Sequence, residues 1–230
     1  MSIAEKLTTI AENEPKVFNA GCHALENMIT NGFSRKNYCG AFLQSDLTGY
    51  EFSQTIYPIS GIERMFNSYA GTELPKGIDC SKLECDKSAT YYRFAFEWAS
   101  KLKKIPDIKI PAIPYYTNTY SNCVLLEEIE VIRCSKETVF NNPFSNCPKL
   151  TTFRIEGEIG TDFDCTQIPV SPETMKSVLE HLYDYTGTTS DHKHSVLFTM
   201  SCWAAFDKKY PNYSGLSGED YANSKGWLTR

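Results

Sequence analysis

Hydrophobic and polar residues along this chain fall into a register that repeats at a fixed interval. Phe96, Tyr120 and Phe144 stand 24 residues apart, and each opens a segment with the same columns. Three residues on comes a small side chain (Ala99, Cys123, Cys147), six on a leucine (Leu102, Leu126, Leu150), and nine on a bulky apolar residue (Ile105, Ile129, Phe153). In the last two segments the alternation continues to Val131 and Ile155, as in a half-buried strand. A 24-residue period fits one strand plus a return segment, a unit that cannot bury its apolar face alone and folds by stacking on its neighbours. A degenerate earlier unit includes Met65-Phe66, Leu74-Pro75 and Ile78-Asp79-Cys80-Ser81, so repeats are expected over residues 61–165.

The flanking segments read as caps. Ser2 and Glu5 form a capping box ahead of Ile3, Leu7 and Ile10, and beyond Pro15 the residues Phe18, Gly21, Leu25 and Met28 keep a helical spacing until Asn31-Gly32. Residues 1–31 are therefore expected to be a helical segment, either folded over the open end of the stack or self-associating, because Ile3, Leu7, Ile10, Val17, Ala24 and Met28 also fit a heptad. Residues 32–60 then form an N-terminal cap. From 166 to 230, Ser171-Pro172-Glu173 starts a helix carrying Met175, Val178, Leu179 and Leu182 on one face. A strand at Ser195–Met200, a helix at Trp203–Lys209 and a strand at Gly226–Thr229 follow, with Trp227 in the core, so the sheet is expected to continue through longer rungs.

The stretch Val139-Phe140-Asn141-Asn142-Pro143-Phe144-Ser145-Asn146-Cys147-Pro148-Lys149-Leu150-Thr151-Thr152-Phe153-Arg154-Ile155 resembles the repeat of BspA-like leucine-rich-repeat proteins, A-F-x-x-C-x-x-L-x-x-I-x-I. The unit at Phe96 departs from it, with Ala99 for cysteine and Pro106 in the strand. The resemblance implies an α/β fold, a leucine-rich-repeat solenoid forming a right-handed β-α superhelix, and a bacterial binding or adhesion protein. The N-terminal stretch is similar to openings of prophage tail-associated proteins.

Composition narrows the function. Apolar residues make up 41% and aromatics 13% of 230 residues, enough for a substantial core, and the formal charge of -5 offers no basic field for a phosphate backbone. Nucleic-acid binding is not expected, nor is a membrane span, and no export leader is read at the start, which favours a cytoplasmic or virion-associated protein over a secreted one. Nine cysteines are present, but no CxxC pair; Cys80 and Cys85 lack a second pair to complete a metal site, so neither metal nor cofactor is expected. Cys123 and Cys147 each sit in a Ser-Asn-Cys triplet and read as small apolar fillers of a turn, with Asn122 and Asn146 satisfying backbone groups.

No catalytic motif stands out. His192 and His194 would share one side of a strand, yet no carboxylate or cysteine pair follows at ligand spacing, and a polar turn is the simpler reading. Cys202 with His181 is the formal nucleophile–base pair, unsupported by any surrounding signature. What remains is the solvent side of the strands. Lys104, Glu128 and Thr152 form one outward column; Pro106, Glu130 and Arg154 form the next. They are either a binding face or charges paired between rungs, Lys104 with Glu128 and Glu130 with Arg154. Tyr115, Tyr116 and Tyr120 in the return segment are either exposed for recognition or buried. Three functions stay open: a non-catalytic module binding a protein or cell-surface glycan, an assembly component that oligomerises through residues 1–31, and, least favoured, a cysteine-dependent hydrolase.

Overall fold

The structure is a computed structural model that describes residues 40–58, 61–83, 93–188 and 193–229. The expected N-terminal helical segment lies outside the described residues, as do Cys22, Cys39, Cys85 and His192. The described chain winds into a parallel β-solenoid of about four turns. Strand β1 (Glu51–Ile56) pairs with β2 (Lys76–Ile78); β3 (Lys104–Ile105), β5 (Glu128–Cys134) and β7 (Thr152–Gly157) form a second sheet; β4 (Tyr115–Thr117) pairs with β6 (Val139–Asn141). Every one of these pairings is parallel.

The recurring aromatic sets the stack. Rings of Phe42, Phe66, Phe96, Tyr120 and Phe144 lie one upon the next with centroids 5.2, 5.3, 5.7 and 6.0 Å apart. All five are buried, each contributing about 2 kcal/mol by removal from water. Around each ring the chain makes a tight turn whose amides bond the next rung. Gly40, Phe42 and Gln44 donate to the carbonyls of Glu63, Met65 and Asn67; Arg64, Phe66 and Ser68 donate to those of Arg93, Ala95 and Glu97. The same triplet repeats from Phe94, Phe96 and Trp98 and from Asn118, Tyr120 and Asn122. Residues two before and two after the aromatic take left-handed backbone, for instance Asn118 (φ 48°) and Asn122 (φ 63°), the region asparagine tolerates best after glycine.

The repeat thus begins earlier than its sequence signature. Phe42 is a full rung inside what reads as an N-terminal cap, and the step from Phe66 to Phe96 is 30 residues rather than 24 with no change in ring spacing. The strand row is interrupted at that longer rung. There Cys80 N–H donates to Ile108 O at 2.7 Å, and Pro106, which has no N–H, sits just past β3. The return segments β4 and β6 are strands, so among the described residues helices occur only after Ser171.

One register expectation fails. The ladder from Ile129↔Phe153 to Ile132↔Ile155 contains an extra residue on β5, so Ile132 is buried in the place expected of Val131, which is half-buried. A bulge of this kind re-aims every side chain after it.

Beyond the repeats, α1 (Pro172–Glu180), α2 (Met200–Lys209) and α3 (Gly218–Ser224) are capped by Ser171, Thr199 and Ser217. Met175, Val178, Leu179 and Leu182 are buried as their spacing predicts. Strand β8 (Phe163–Asp164) pairs with β9 (Val196–Leu197), and Ser195 bridges to Leu228, so parallel pairing does continue through longer rungs. The expected strand to Met200 stops at Leu197 because Thr199 caps α2, and the last strand shrinks to the Leu228 bridge beside buried Trp227. Helix α1 also closes the free edge of β7: Phe153 N–H donates to Thr174 Oγ1 (3.2 Å) and Ile155 N–H to Ser177 Oγ (2.9 Å). No helix among the described residues is long and apolar enough to cross a membrane.

Candidate functional site

Because α1 crosses the end of the sheet β3–β5–β7, the outward columns of β5 and β7 become one wall of a groove of about 480 Å³. The strands supply Glu128, Glu130, Thr152, Arg154 and Glu156; the helix supplies Glu173, Lys176, Ser177, Glu180 and His181. Four of the expected binding-face residues, Glu128, Glu130, Thr152 and Arg154, thus line one cavity. Lys104 borders it through Glu128, which it meets at 2.7 Å, and that bond raises the lysine's pKa.

Elsewhere the expected pairing is redrawn. Arg154 does not meet Glu130; it bonds Glu156 on its own strand, while Glu130 accepts the Asp107 backbone N–H at 3.3 Å. The bulge after Ile129 shifts Glu130 out of line with Arg154. The centre of the charge network is a residue the outward columns omit. Arg133 binds both oxygens of Asp107 (2.8 Å each) and Glu156 Oε2 (2.7 Å). Hydrogen bonds from Arg133 hold the Asp107 carboxyl below its usual range against the opposing effect of burial; Arg154 and then Arg133 do the same for Glu156. Arg133 and Glu156 lie 23 residues apart, one period once the bulge is counted, but Asp107 stands 26 residues before Arg133, so the repeat carried only part of the signal.

On the helix side Lys176 reaches Glu180 at 3.7 Å, Lys209 pairs with Glu173, and Tyr213 Oη donates to Glu180 at 3.0 Å. Opposite charges therefore face one another around nearly the whole groove.

The tyrosines divide. Tyr116 is 1% exposed, stacks on Phe140 at 5.3 Å and donates to Arg133 O at 2.9 Å, so it is core and is struck from the binding face. Tyr120 is a rung of the main stack. Tyr115 is half-buried in β4 opposite Val139. Asn146 Nδ2 donates to Asn122 Oδ1 at 3.0 Å, so these asparagines bond each other between rungs as well as shaping the turns.

The described thiols are inward. Burial pushes Cys80 and Cys134 up to about 12 and Cys147 up to about 11, and raises Cys123 and Cys165 in the same direction. Cys123 and Cys147 also donate to the carbonyls of Phe96 (3.0 Å) and Tyr120 (2.9 Å), a bonding role beyond filling space. Cys202 bonds Thr199 Oγ1 at 3.1 Å and His181 Nδ1 bonds Ser177 O at 2.7 Å; neither bonds the other. Among the described residues no group of three or more histidine, cysteine or acidic side chains gathers as a metal would require.

Compared with known proteins, the chain matches no family model, no curated protein and no solved structure.

Proposed function

We propose that this chain is a non-catalytic binding module whose sheet face, with the groove under α1, receives a protein segment or a glycan. The observation that carries this reading is the gathering of Glu128, Glu130, Thr152 and Arg154 with the polar face of α1 around one open cavity. Solenoids bind through such extended faces, and a rim of paired charges favours specificity and orientation. Among the described residues, the buried thiols of Cys80, Cys134 and Cys147, with their raised pKa, favour a role without covalent chemistry. As to lineage, we read the rungs as divergent BspA-like leucine-rich repeats, a reading supported by the recurring Asn-Cys turns and buried leucines at Leu102, Leu126 and Leu150.

A panel of glycans and extracellular proteins, presented to the wild type and to the double variant Glu130→Lys, Arg154→Glu, tests the proposal. A partner bound by the wild type should be held at least about tenfold more weakly by the double variant at unchanged melting temperature. Binding no stronger than that of an unrelated solenoid control would sink it.

A further inference from the structure

The third rung departs at its turn from the two that follow it, and from the second, which has Arg64 (φ 53°) and Ser68 (φ 53°) there, in carrying two aromatics. In the fourth and fifth rungs the four left-handed positions around the buried aromatic are all asparagine: Asn118, Asn122, Asn142 and Asn146. In the third they are Phe94 (φ 60°) and Trp98 (φ 64°). Left-handed backbone costs an ordinary L-residue about 1–2 kcal/mol, so two bulky aromatics stand where asparagine would be more stable. Trp98 is moreover 53% exposed, whereas Trp203 and Trp227 are buried. A solvent-facing indole held at a conformational cost is a candidate contact surface.

Polar groups flank it along the solenoid. On the second-rung side Ser68 Oγ donates to Asn67 Oδ1 (3.0 Å) and Asn67 Nδ2 to Glu97 Oε2 (3.1 Å). On the fourth-rung side Asn122 holds the same turn position as Trp98 and is linked to Asn146. The rings beneath repeat at 5.3 and 5.7 Å, so these groups sit one rung step from the turn that carries the indole. An apolar peptide would gain little from amides on both sides and a carboxylate on one. A sugar ring has the matching character, with an apolar C–H face for the indole and a rim of hydroxyls for donors and acceptors.

We propose that the Trp98 turn is a glycan-binding site, in which the indole is the platform for one face of a pyranose and Asn122 and the Asn67–Glu97 pair take its hydroxyls. The proposal rests on the binding-module reading but places the ligand on the turn edge, away from the groove under α1.

The test uses the full chain on a glycan array, followed by solution titration of any oligosaccharide bound, with wild type, Trp98→Asn, the groove variant Arg154→Ala and the surface variant Lys208→Ala. Trp98→Asn relieves the backbone strain, so loss of fold does not confound it. The bound sugar should shift the exposed tryptophan's emission to the blue and shield it from acrylamide. Trp98→Asn should weaken binding about tenfold or more, while Lys208→Ala, on the exposed side of α2, leaves it unchanged. Binding that survives Trp98→Asn overturns the proposal; if Arg154→Ala abolishes that binding, the module reading stands and the ligand belongs to the groove. A wild type that binds no glycan, yet binds a protein of the panel, likewise overturns the proposal alone.

Discussion

The thiol of Cys147 donates to the backbone carbonyl of Tyr120, 2.9 Å away and one rung back, and Cys123 repeats the contact to Phe96 at 3.0 Å. A small sulfur donor thereby closes on a carbonyl next to the ring that sets the stack. Cys147→Ala, which removes both volume and donor, should cost about 1–2 kcal/mol in a denaturant titration. With its pKa lifted from 9.0 to about 11, Cys147 should also label with a thiol reagent near neutral pH about 100-fold more slowly than a free cysteine. Labelling at the free rate in the folded protein would contradict its placement.

Phe144 closes the aromatic column against Tyr120 and packs Phe153 at 5.3 Å. Phe144→Ala should destabilise by about 3–5 kcal/mol, seen as a large fall in the urea midpoint. An unchanged midpoint would mean the rings do not form one stack.

Much of this was legible in the sequence because burial in a repeat is periodic. The columns at Ala99, Cys123 and Cys147 and at Leu102, Leu126 and Leu150 are fully buried as their spacing implies, and Lys104 meets Glu128, one of the two roles its column allowed. What escaped was non-periodic. The 30-residue step to Phe96 hid the rung of Phe42 and left that of Phe66 legible only as a degenerate unit, and a single bulge residue moved Ile132 inward and brought Arg133 to Asp107. Half of the candidate groove comes from α1, whose docking on β7 is a tertiary event without a local signal. Tyr116 looked ambiguous because its hydroxyl partner, Arg133 O, lies 17 residues away.

The left-handed turns give a prediction of opposite sign at matching positions. Trp98→Asn should stabilise by about 0.5–1 kcal/mol, whereas Asn122→Ala should cost about 1 kcal/mol by straining the backbone and breaking the bond to Asn146. Thermal melts of the two variants should move in opposite directions.

Gly157 has φ 105°, and a Cβ there would stand 1.9 Å from the Cys134 carbonyl oxygen. Gly157→Ala should therefore cost about 2 kcal/mol or more, or prevent folding, as read by circular dichroism and melting.

Stability should also fall in acid for an identifiable reason. Burial tends to raise the Asp79 carboxyl, but hydrogen bonds from Ser81 and Lys109 prevail and hold it at about 2, against 3.8 when unfolded. Asp107 and Glu156 are displaced in the same direction. Folded carboxyls with depressed pKa stabilise fully above the unfolded value and lose that contribution as pH drops through the folded one. The melting temperature should hold from neutrality to about pH 5 and then decline toward pH 2. Asp79→Asn should remove part of that decline, worth about 1 kcal/mol at neutral pH once solvent screening is allowed for.

A parallel ladder whose last strand kept its amides free would be a template on which another molecule could lay its own first strand, and so on without end. The hydroxyls of Thr174 and Ser177 occupy the amides of Phe153 and Ile155 on β7. Two short side chains on one helix thus deny those two amides to a strand of another molecule.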